Sequence, residues 1–163
     1  VSAKKNTTFF LTNSPSYHIL PEDSQDMYFH DMEIYVDVMG QLKLNQLFGK
    51  IPVGIDDPRD LIEIIEMVAD ENGHQIMLPM FPLNTDGIDV NGKNFTFRNL
   101  KITNFDDAIV AKPTHRGRVH ECTTDMLVED IEVVFGVGMS IGSVPPNPDH
   151  ACVRDLVFRN VNF

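Results

Sequence analysis

Four octets of alternating apolar residues recur along the chain, and they predict its fold. Each octet has apolar residues at positions 1, 3, 6 and 8, and Asp or Asn at position 5. The octets are Met27–Ile34, Phe95–Ile102, Met126–Val133 and Leu156–Phe163. Because the fifth residue puts the two apolar pairs out of phase, each octet predicts a strand, a bend and a second strand. Asn and Asp suit the bend because they tolerate left-handed backbone conformations.

A short apolar motif precedes each octet and predicts a second, shorter strand in every repeat. The motifs are His18–Leu20, Gly87–Asp89, Ala108–Val110 and Ser140–Gly142. Repeats of short strands that cannot bury their apolar faces alone are typical of solenoids. We therefore predict an all-β chain, folded as a right-handed parallel β-helix in which each strand stacks on its counterpart in the next repeat. The alternative is a sandwich or barrel whose strands resemble one another by coincidence.

Residues 43–82 interrupt this rhythm and are predicted to be an insertion between repeats. Asp57 and Pro58 signal a helix start and Gly73 a helix end, so we expect an amphipathic helix around 57–72. The insertion either leans on the solenoid or is foreign to the fold. Residues 1–163 as a whole are predicted to form one parallel β-helix domain that is incomplete at its C-terminus and its N-terminus.

The acidic composition narrows the class of partner. The chain has a formal net charge of -11 and a pI of about 4.8, so nucleic acid and anionic membranes would be repelled. No apolar run in the sequence approaches the length of a membrane span. A polyanionic sugar remains compatible, provided that the binding cleft is locally basic.

The two cysteines occupy equivalent positions in the repeat. Cys122 and Cys152 each lie four residues before an octet. Neighbouring parallel strands lie about 4.8 Å apart, which is within the Cα separation of a disulfide. We expect a Cys122–Cys152 disulfide if the protein is secreted, and two buried free thiols if it is intracellular. Cys and His do not cluster at ligand spacing, so no metal site is predicted.

Three aspartates are the candidate catalytic groups. Asp86 lies in an Asn-Thr-Asp-Gly motif, and Asp106 and Asp107 are adjacent at the start of the next repeat. Two adjacent aspartates on their own are more often a turn or a cap. Here the predicted coiling brings Asp86 within reach of the pair, and two or three carboxylates on one open face are the equipment of a glycoside hydrolase.

These motifs resemble glycoside hydrolase family 28, the polygalacturonases and related pectin-degrading hydrolases. The resemblance rests on Asn84–Gly87, on the pair Asp106–Asp107 and on Gly136–Ser143, where the family pattern is Gly-His-Gly-x-Ser-Ile-Gly-Ser. It implies a right-handed parallel β-helix that hydrolyses α-1,4 bonds between galacturonic acid units with inversion, with exo action as one mode. We expect a pectic polysaccharide substrate, no cofactor, a monomer, and a secreted, extracellular protein.

The resemblance also implies a role for each carboxylate. Asp106 is expected to protonate the leaving oxygen as general acid, and Asp86 and Asp107 to hold and deprotonate the attacking water. Crowded carboxylates cannot all ionise easily, so one of them keeps a proton to donate. Asn84 is expected to position the sugar or the water.

Basic residues after the Asp106 strand are the candidate contacts for a galacturonate carboxylate. They are Lys112, His115 and Arg116, and for the loop residues exposed solvated charge is the plain alternative. The chain departs from the family at Val137, which replaces the His, and it contains no Arg-Ile-Lys motif. Two further hypotheses therefore stay open: an inactive β-helix fragment or pseudoenzyme that acts as a carbohydrate-binding or structural module, and, more weakly, a polysaccharide lyase.

Overall fold

Eight β-strands make up almost all of the regular structure that is described. A computed structural model describes residues 8–37, 39–40, 43, 84–114, 117–146 and 151–163. The strands are β1 (Phe9–Thr12), β2 (Ser24–Tyr35), β3 (Ile88–Val90), β4 (Gly92–Thr103), β5 (Asp107–Ala111), β6 (Thr124–Phe135), β7 (Gly138–Ile141) and β8 (Leu156–Asn162). Over these ranges, no helix is long and apolar enough to cross a membrane. The predicted all-β class is confirmed.

The strands form two sheets, and within each sheet all paired strands run parallel. The order is β1-β2-β4-β6-β8 in the five-stranded sheet and β3-β5-β7 in the three-stranded sheet. From β3 onward the chain alternates between a short strand of one sheet and a long strand of the other. We call each long strand with the short segment that precedes it a unit. The first unit is the His18–Leu20 motif with β2, since Ile19 bridges to Ile88 in parallel, and the second to fourth units are β3 with β4, β5 with β6 and β7 with β8. Two parallel sheets visited in alternation are consistent with the predicted parallel β-helix, whose handedness stays a prediction.

The octets stack on one another in the predicted register. Met27 pairs with Phe95, Phe95 with Met126, and Met126 with Leu156, so the first position of each octet lies beside the first position of the next. The apolar positions of the second and third octets point inward and stack into a continuous core that excludes water, whereas Phe158 and Phe163 of the fourth octet are exposed. Its buried members include Phe97, Leu100, Ile102, Val128, Ile131 and Val133, together with Ile88 and Ile109 of the short strands.

The fifth residue of every octet adopts the left-handed conformation. The φ angle is 52° at Asp31, 55° at Asn99, 57° at Asp130 and 52° at Asn160. We call these four residues the bend ladder. Asn99 donates a hydrogen bond to Asp31 and Asn160 donates one to Asp130. Since amides alternate with carboxylates, like charges do not stack directly on one another.

A second left-handed ladder was not predicted from the sequence. It lies one residue before each octet, with φ between 57° and 59°. Its members are Asp26, Asn94, Asp125 and Asp155. Asn94 donates a hydrogen bond of 2.7 Å to Asp26, which repeats the pairing of the bend ladder. Each long strand therefore turns twice, because Asp or Asn recurs at both positions.

The short strands keep the predicted register except in the fourth unit. Ile88 pairs with Ile109, as the motifs predict. Ile109 then pairs with Met139, so the fourth motif, placed at Ser140–Gly142, was wrong by two residues. A register shift between Asp107 and Ile109 accounts for one of these two residues, and the alternation of apolar residues does not reveal it.

The spacing of the units agrees with an insertion after β2. Equivalent bend residues are 68 apart between the first and second units, but about 30 apart between later units. The helix predicted around 57–72 lies outside the described residues. Whether residues 1–163 are one incomplete domain stays a prediction.

A disulfide joins the third and fourth units. Cys122 and Cys152 are bonded, with their Cα atoms 4.6 Å apart. Thr123 pairs in parallel with Val153 directly after the two cysteines. The register of the repeat therefore places the two sulfurs beside each other.

Candidate active site

Pairing of the short strands brings the three predicted aspartates together. The backbone N–H of Gly87 donates to the carbonyl oxygen of Asp107 at 2.8 Å, which sets the start of β3 beside the start of β5. One carboxylate oxygen from each of Asp86, Asp106 and Asp107 lies within 4.8 Å of the others. We call these three residues the carboxylate cluster. Asp86 is buried, whereas Asp106 and Asp107 are partly exposed, so the cluster opens to solvent on their side.

Two glycines permit the close approach of the backbone around the cluster. A Cβ atom at Gly87 would lie 2.2 Å from the carbonyl oxygen of Ala108. A Cβ atom at Gly136, whose φ is 137°, would lie 2.1 Å from Oδ1 of Asn104. Because a side chain at either position would push the units apart, only glycine fits.

Asn104 ties the two halves of the cluster together, and this role was missed in the sequence. Its buried side chain donates hydrogen bonds to the carbonyl oxygens of Thr85 at 3.0 Å and Asp107 at 2.7 Å. The N–H of Phe105 donates to Oγ1 of Thr85 at 3.0 Å. These bonds hold the turn that carries Asp86 against the start of β5. The sequence signal is a lone Asn between a long apolar strand and the aspartate pair.

Burial and mutual repulsion raise the pKa of two cluster members. Burial raises the pKa of Asp86 to about 6, and the negative charge of Asp89 adds to the effect. Burial also raises the pKa of Asp106 to about 6, with the charge of Asp86 as the next cause. Both carboxyls therefore exchange protons in mildly acidic solution, as a general acid or base must.

An ion pair between a buried carboxylate and a partly exposed ammonium acts on Asp86. Asp89 in β3 is fully buried, and its Oδ2 lies 3.0 Å from Nζ of Lys112, which directly follows β5. Burial acts to lower the pKa of Lys112, but the hydrogen bond and charge of Asp89 outweigh it, so this pKa is raised. Lys112 also lies 6.0 Å from the ring centroid of Tyr17. The predicted substrate contact is therefore also the partner of Asp89, which was not predicted.

His18 supports the cluster from the first unit. Its Nδ1 lies 2.9 Å from the carbonyl oxygen of Asp86. Because a carbonyl only accepts, Nδ1 carries the hydrogen, and Nε2 accepts the N–H of Ser14 at 3.4 Å. Burial lowers the pKa of His18, which favours this neutral form. The sequence had placed His18 only in a strand motif.

The structure describes only some of the other predicted site residues. Asn84 is partly buried in the turn that begins the Asn-Thr-Asp-Gly motif, whereas His115 and Arg116 lie outside the described residues. Val137 lies one unit beyond Asp106, and its N–H donates to the carbonyl oxygen of that residue at 3.0 Å. Its side chain is 71% exposed and offers no hydrogen bond where the family has a His.

The spacing of the cluster also bears on metal binding. The sequence predicts no metal site, but three carboxylate oxygens within 4.8 Å are close enough to share a hard cation. Proton uptake by Asp86 and Asp106 relieves the same repulsion without a cation. We assign no metal to the cluster.

Comparison with known proteins agrees with the motifs. A family model described as Glycosyl hydrolases family 28 matches residues 3–163. No curated protein and no solved structure gives a significant match. The family match includes all four octets and the whole carboxylate cluster, and it fits the two parallel sheets. This chain therefore belongs to glycosyl hydrolases family 28, and it is a glycoside hydrolase of pectic polysaccharides.

Proposed function

We propose that this chain hydrolyses α-1,4 bonds between galacturonosyl residues of pectin or polygalacturonate. The observation that carries the proposal is the carboxylate cluster, whose three oxygens lie within 4.8 Å on a face that is open at Asp106 and Asp107. Family membership limits the substrate to pectic polysaccharides. The linkage is the finer step, and it is supported by the three motifs that the chain shares with polygalacturonases.

Asp106 is the proposed general acid. It is partly exposed, so it can reach a glycosidic oxygen, and its pKa of about 6 keeps it protonated in acidic solution. Asp86 and Asp107 hold and deprotonate the attacking water. Because the pKa of Asp86 is also about 6, accessibility and not proton affinity decides which of the two is the acid.

Asn84 and Lys112 are the proposed contacts to the sugar. The side chain of Lys112 is 29% exposed, so its ammonium can meet a galacturonate carboxylate while it is bound to Asp89. Its positive charge provides the local positive potential that an acidic protein needs in order to bind a polyanionic sugar. His115 and Arg116, which follow Thr114 in the sequence, extend this proposal.

Inversion is a separate part of the proposal, and the spacing of the cluster bears on it. Carboxyl groups stand roughly 6.5–9.5 Å apart in inverting glycosidases and about 5–5.5 Å apart in retaining ones. The closest cluster oxygens lie within 4.8 Å, which favours retention. The resemblance in motifs favours inversion, and a third carboxylate gives the water a second base to hold it. The anomer that forms first decides between the two.

Incubation with polygalacturonate tests the proposal. We expect new reducing ends, and the proton NMR spectrum of the first product should show the β anomer. The α anomer would contradict inversion and leave hydrolysis intact. Release of monomer alone would indicate exo action, and a ladder of oligomers endo action. An ultraviolet-absorbing unsaturated product would indicate a lyase, and binding without any product would support the non-catalytic module.

We also propose that the chain works outside the cell, as a monomer. The Cys122–Cys152 disulfide supports an extracellular location, because disulfides persist in oxidising compartments. Thiol titration of the unfolded, unreduced protein from its natural source should find no reactive thiol. Two reactive thiols would contradict the proposal. Sedimentation equilibrium checks the monomer.

A further inference from the structure

We propose that Asp89 and Lys112 act together as positioning residues that set the proton affinity of Asp86. With both residues present, Asp86 would bind a proton strongly enough to accept one from water and weakly enough to release it again. This inference rests on the proposed hydrolysis only for its catalytic consequence. The effect of the pair on Asp86 is a property of the folded protein.

The backbone fixes both members of the pair. The N–H of Asp89 donates to the carbonyl oxygen of Ile19 at 2.9 Å, and the N–H of Lys112 donates to that of Val90 at 2.8 Å. Neighbouring units therefore hold the ion pair from both sides. Its geometry does not depend on a flexible loop.

Burial makes the pair interdependent. Asp89 is 0% exposed, and within the described residues its Oδ1 has no hydrogen-bond partner. Burial raises the pKa of Asp89, and the hydrogen bond and charge of Lys112 at 3.0 Å act against that rise, so Lys112 favours the ionised form of Asp89. Well-packed apolar residues can often replace a buried ion pair without loss of stability, so stability alone is a weak reason for Asp89 to be charged.

The charged groups that act on Asp86 come from β3 and from the two ends of β5. They are Asp89 in β3, Asp106 and Asp107 at the start of β5, and Lys112 at the end of β5. His18 contacts Asp86 from the first unit in its neutral form. Lys112 is thus the cation set against three carboxylates. Because charges act over short distances in a buried site, removal of either Asp89 or Lys112 must change how readily Asp86 takes up a proton.

Two simpler roles for Lys112 make different predictions. A residue that only contacts substrate would raise KM when removed and leave the titration of Asp86 unchanged. A residue that only supports the fold would change stability and, in folded protein, would also leave that titration unchanged. The titration of Asp86 therefore separates these roles.

The test is a carboxyl 13C NMR titration of labelled aspartates, with the Asp86 signal assigned by its loss in Asp86→Asn. We expect Asp89→Asn to lower the midpoint of Asp86 by roughly one pH unit or more, because the charge of Lys112 then acts on Asp86 without the opposing anion. Lys112→Met should raise the midpoint by less, because Asp89 without its cation takes up a proton more readily. Lys112→Arg should restore a midpoint near that of the wild type. Lys101→Met is the matched control, since Lys101 pairs with Glu132 at 3.9 Å on the outer surface, and it should change nothing.

A double variant covers the case in which a single variant does not fold. Asp89→Asn with Lys112→Met removes both charges and leaves no buried ion unpaired, and its midpoint should lie between those of the single variants. An Asp86 midpoint that stays at the wild-type value in Asp89→Asn and Lys112→Met, or that falls outside the two in the double variant, would overturn the inference. A raised KM for Lys112→Met with an unchanged midpoint would also overturn it.

Activity provides the second readout. If the chain hydrolyses polygalacturonate, the acidic limb of its kcat/KM profile should move with the Asp86 midpoint, to lower pH in Asp89→Asn. If the wild type releases no product while the midpoints shift as expected, the proposed function fails and this inference stands. If hydrolysis is normal but the Asp86 midpoints do not move, the proposed function stands and this inference fails.

Discussion

Asp31 and Asp86 are both stacked by register on polar residues of the next unit, yet their surroundings differ. Asp31 is a half-exposed member of the bend ladder, and the hydrogen bond from Asn99 lowers its pKa. Asp86 is a buried member of the carboxylate cluster, and burial raises its pKa to about 6. The same side chain is therefore a stable anion in one region and a proton acceptor in the other.

The difference lies in what the repeat places beside each aspartate. In the bend ladder an amide follows each carboxylate, and Asn99 and Asn160 each donate a hydrogen bond to the carboxylate of the preceding unit. In the cluster the register sets Asp86 against Asp106 and Asp107, so that carboxylate lies beside carboxylate within 4.8 Å. The capacity for proton transfer thus arises where the alternation of Asp and Asn is broken.

The largest expected effect is on activity, which should depend on the carboxylate cluster and not on the bend ladder. Asp106→Asn should lower kcat on polygalacturonate by roughly 10²–10⁴-fold, because an amide cannot donate the proton that the leaving oxygen needs. The matched control is Asp130→Asn, since Asn already occupies the equivalent bend positions in the second and fourth units. Reducing-end assays on both variants check this, and comparable activity in the two would remove Asp106 from the mechanism.

The second largest expected effect is on how the free energy of unfolding depends on pH. Asp86 has a raised pKa in the folded state, so its contribution to stability is present below about pH 4 and is lost as the pH rises through about 6. Asp86→Asn should therefore stabilise the protein relative to the wild type at pH 8, by up to about 3 kcal/mol. The difference should vanish near pH 4.

Asp31→Asn should show the opposite dependence. The pKa of Asp31 is lowered, so its contribution is present above its unfolded value and is lost as the pH falls through the folded one. The variant should be less stable than the wild type at neutral pH and equal to it in strong acid. Urea unfolding of both variants from pH 3 to 8 measures this, and parallel curves would refute the contrast.

The smallest expected effect tests the bend ladder alone. Asn99→Val forces a β-branched residue to a φ of 55° and should cost roughly 1–2 kcal/mol in the free energy of unfolding. Asn99→Gly keeps the conformation and loses only the hydrogen bond to Asp31, so it should cost less. Urea unfolding compares the two, and an equal cost would show that the left-handed conformation is not what selects Asn.

Much of the fold could be predicted because the same octet pattern occurs four times in the sequence. The octets gave the strand register and the bend at Asn99, since alternation and turn preference agree in all four copies. The shift between Asp107 and Ile109 could not be predicted, because a bulge changes the pairing without changing which residues are apolar. Cross-unit ion pairs, such as Glu129 with Arg98 and Arg159, need the register before they can be seen.

The site was predictable only in its carboxylates. Asp86, Asp106 and Asp107 stand in motifs, and the register then brings them together. Asp89 was read as part of an apolar strand, because nothing in the local sequence shows that Lys112, more than twenty residues later, meets it in the core. Buried polar pairs join distant residues, so they carry little local signal.

The most direct measurement is a carboxyl NMR titration of the wild-type protein from pH 2 to 8. The account predicts that the Asp86 and Asp106 signals change near pH 6, whereas the Asp31 signal changes below the usual range for aspartate. If all three titrate together near pH 4, the cluster has no shifted carboxyl to serve as acid or base. That result would contradict the assignment of proton transfer to this site.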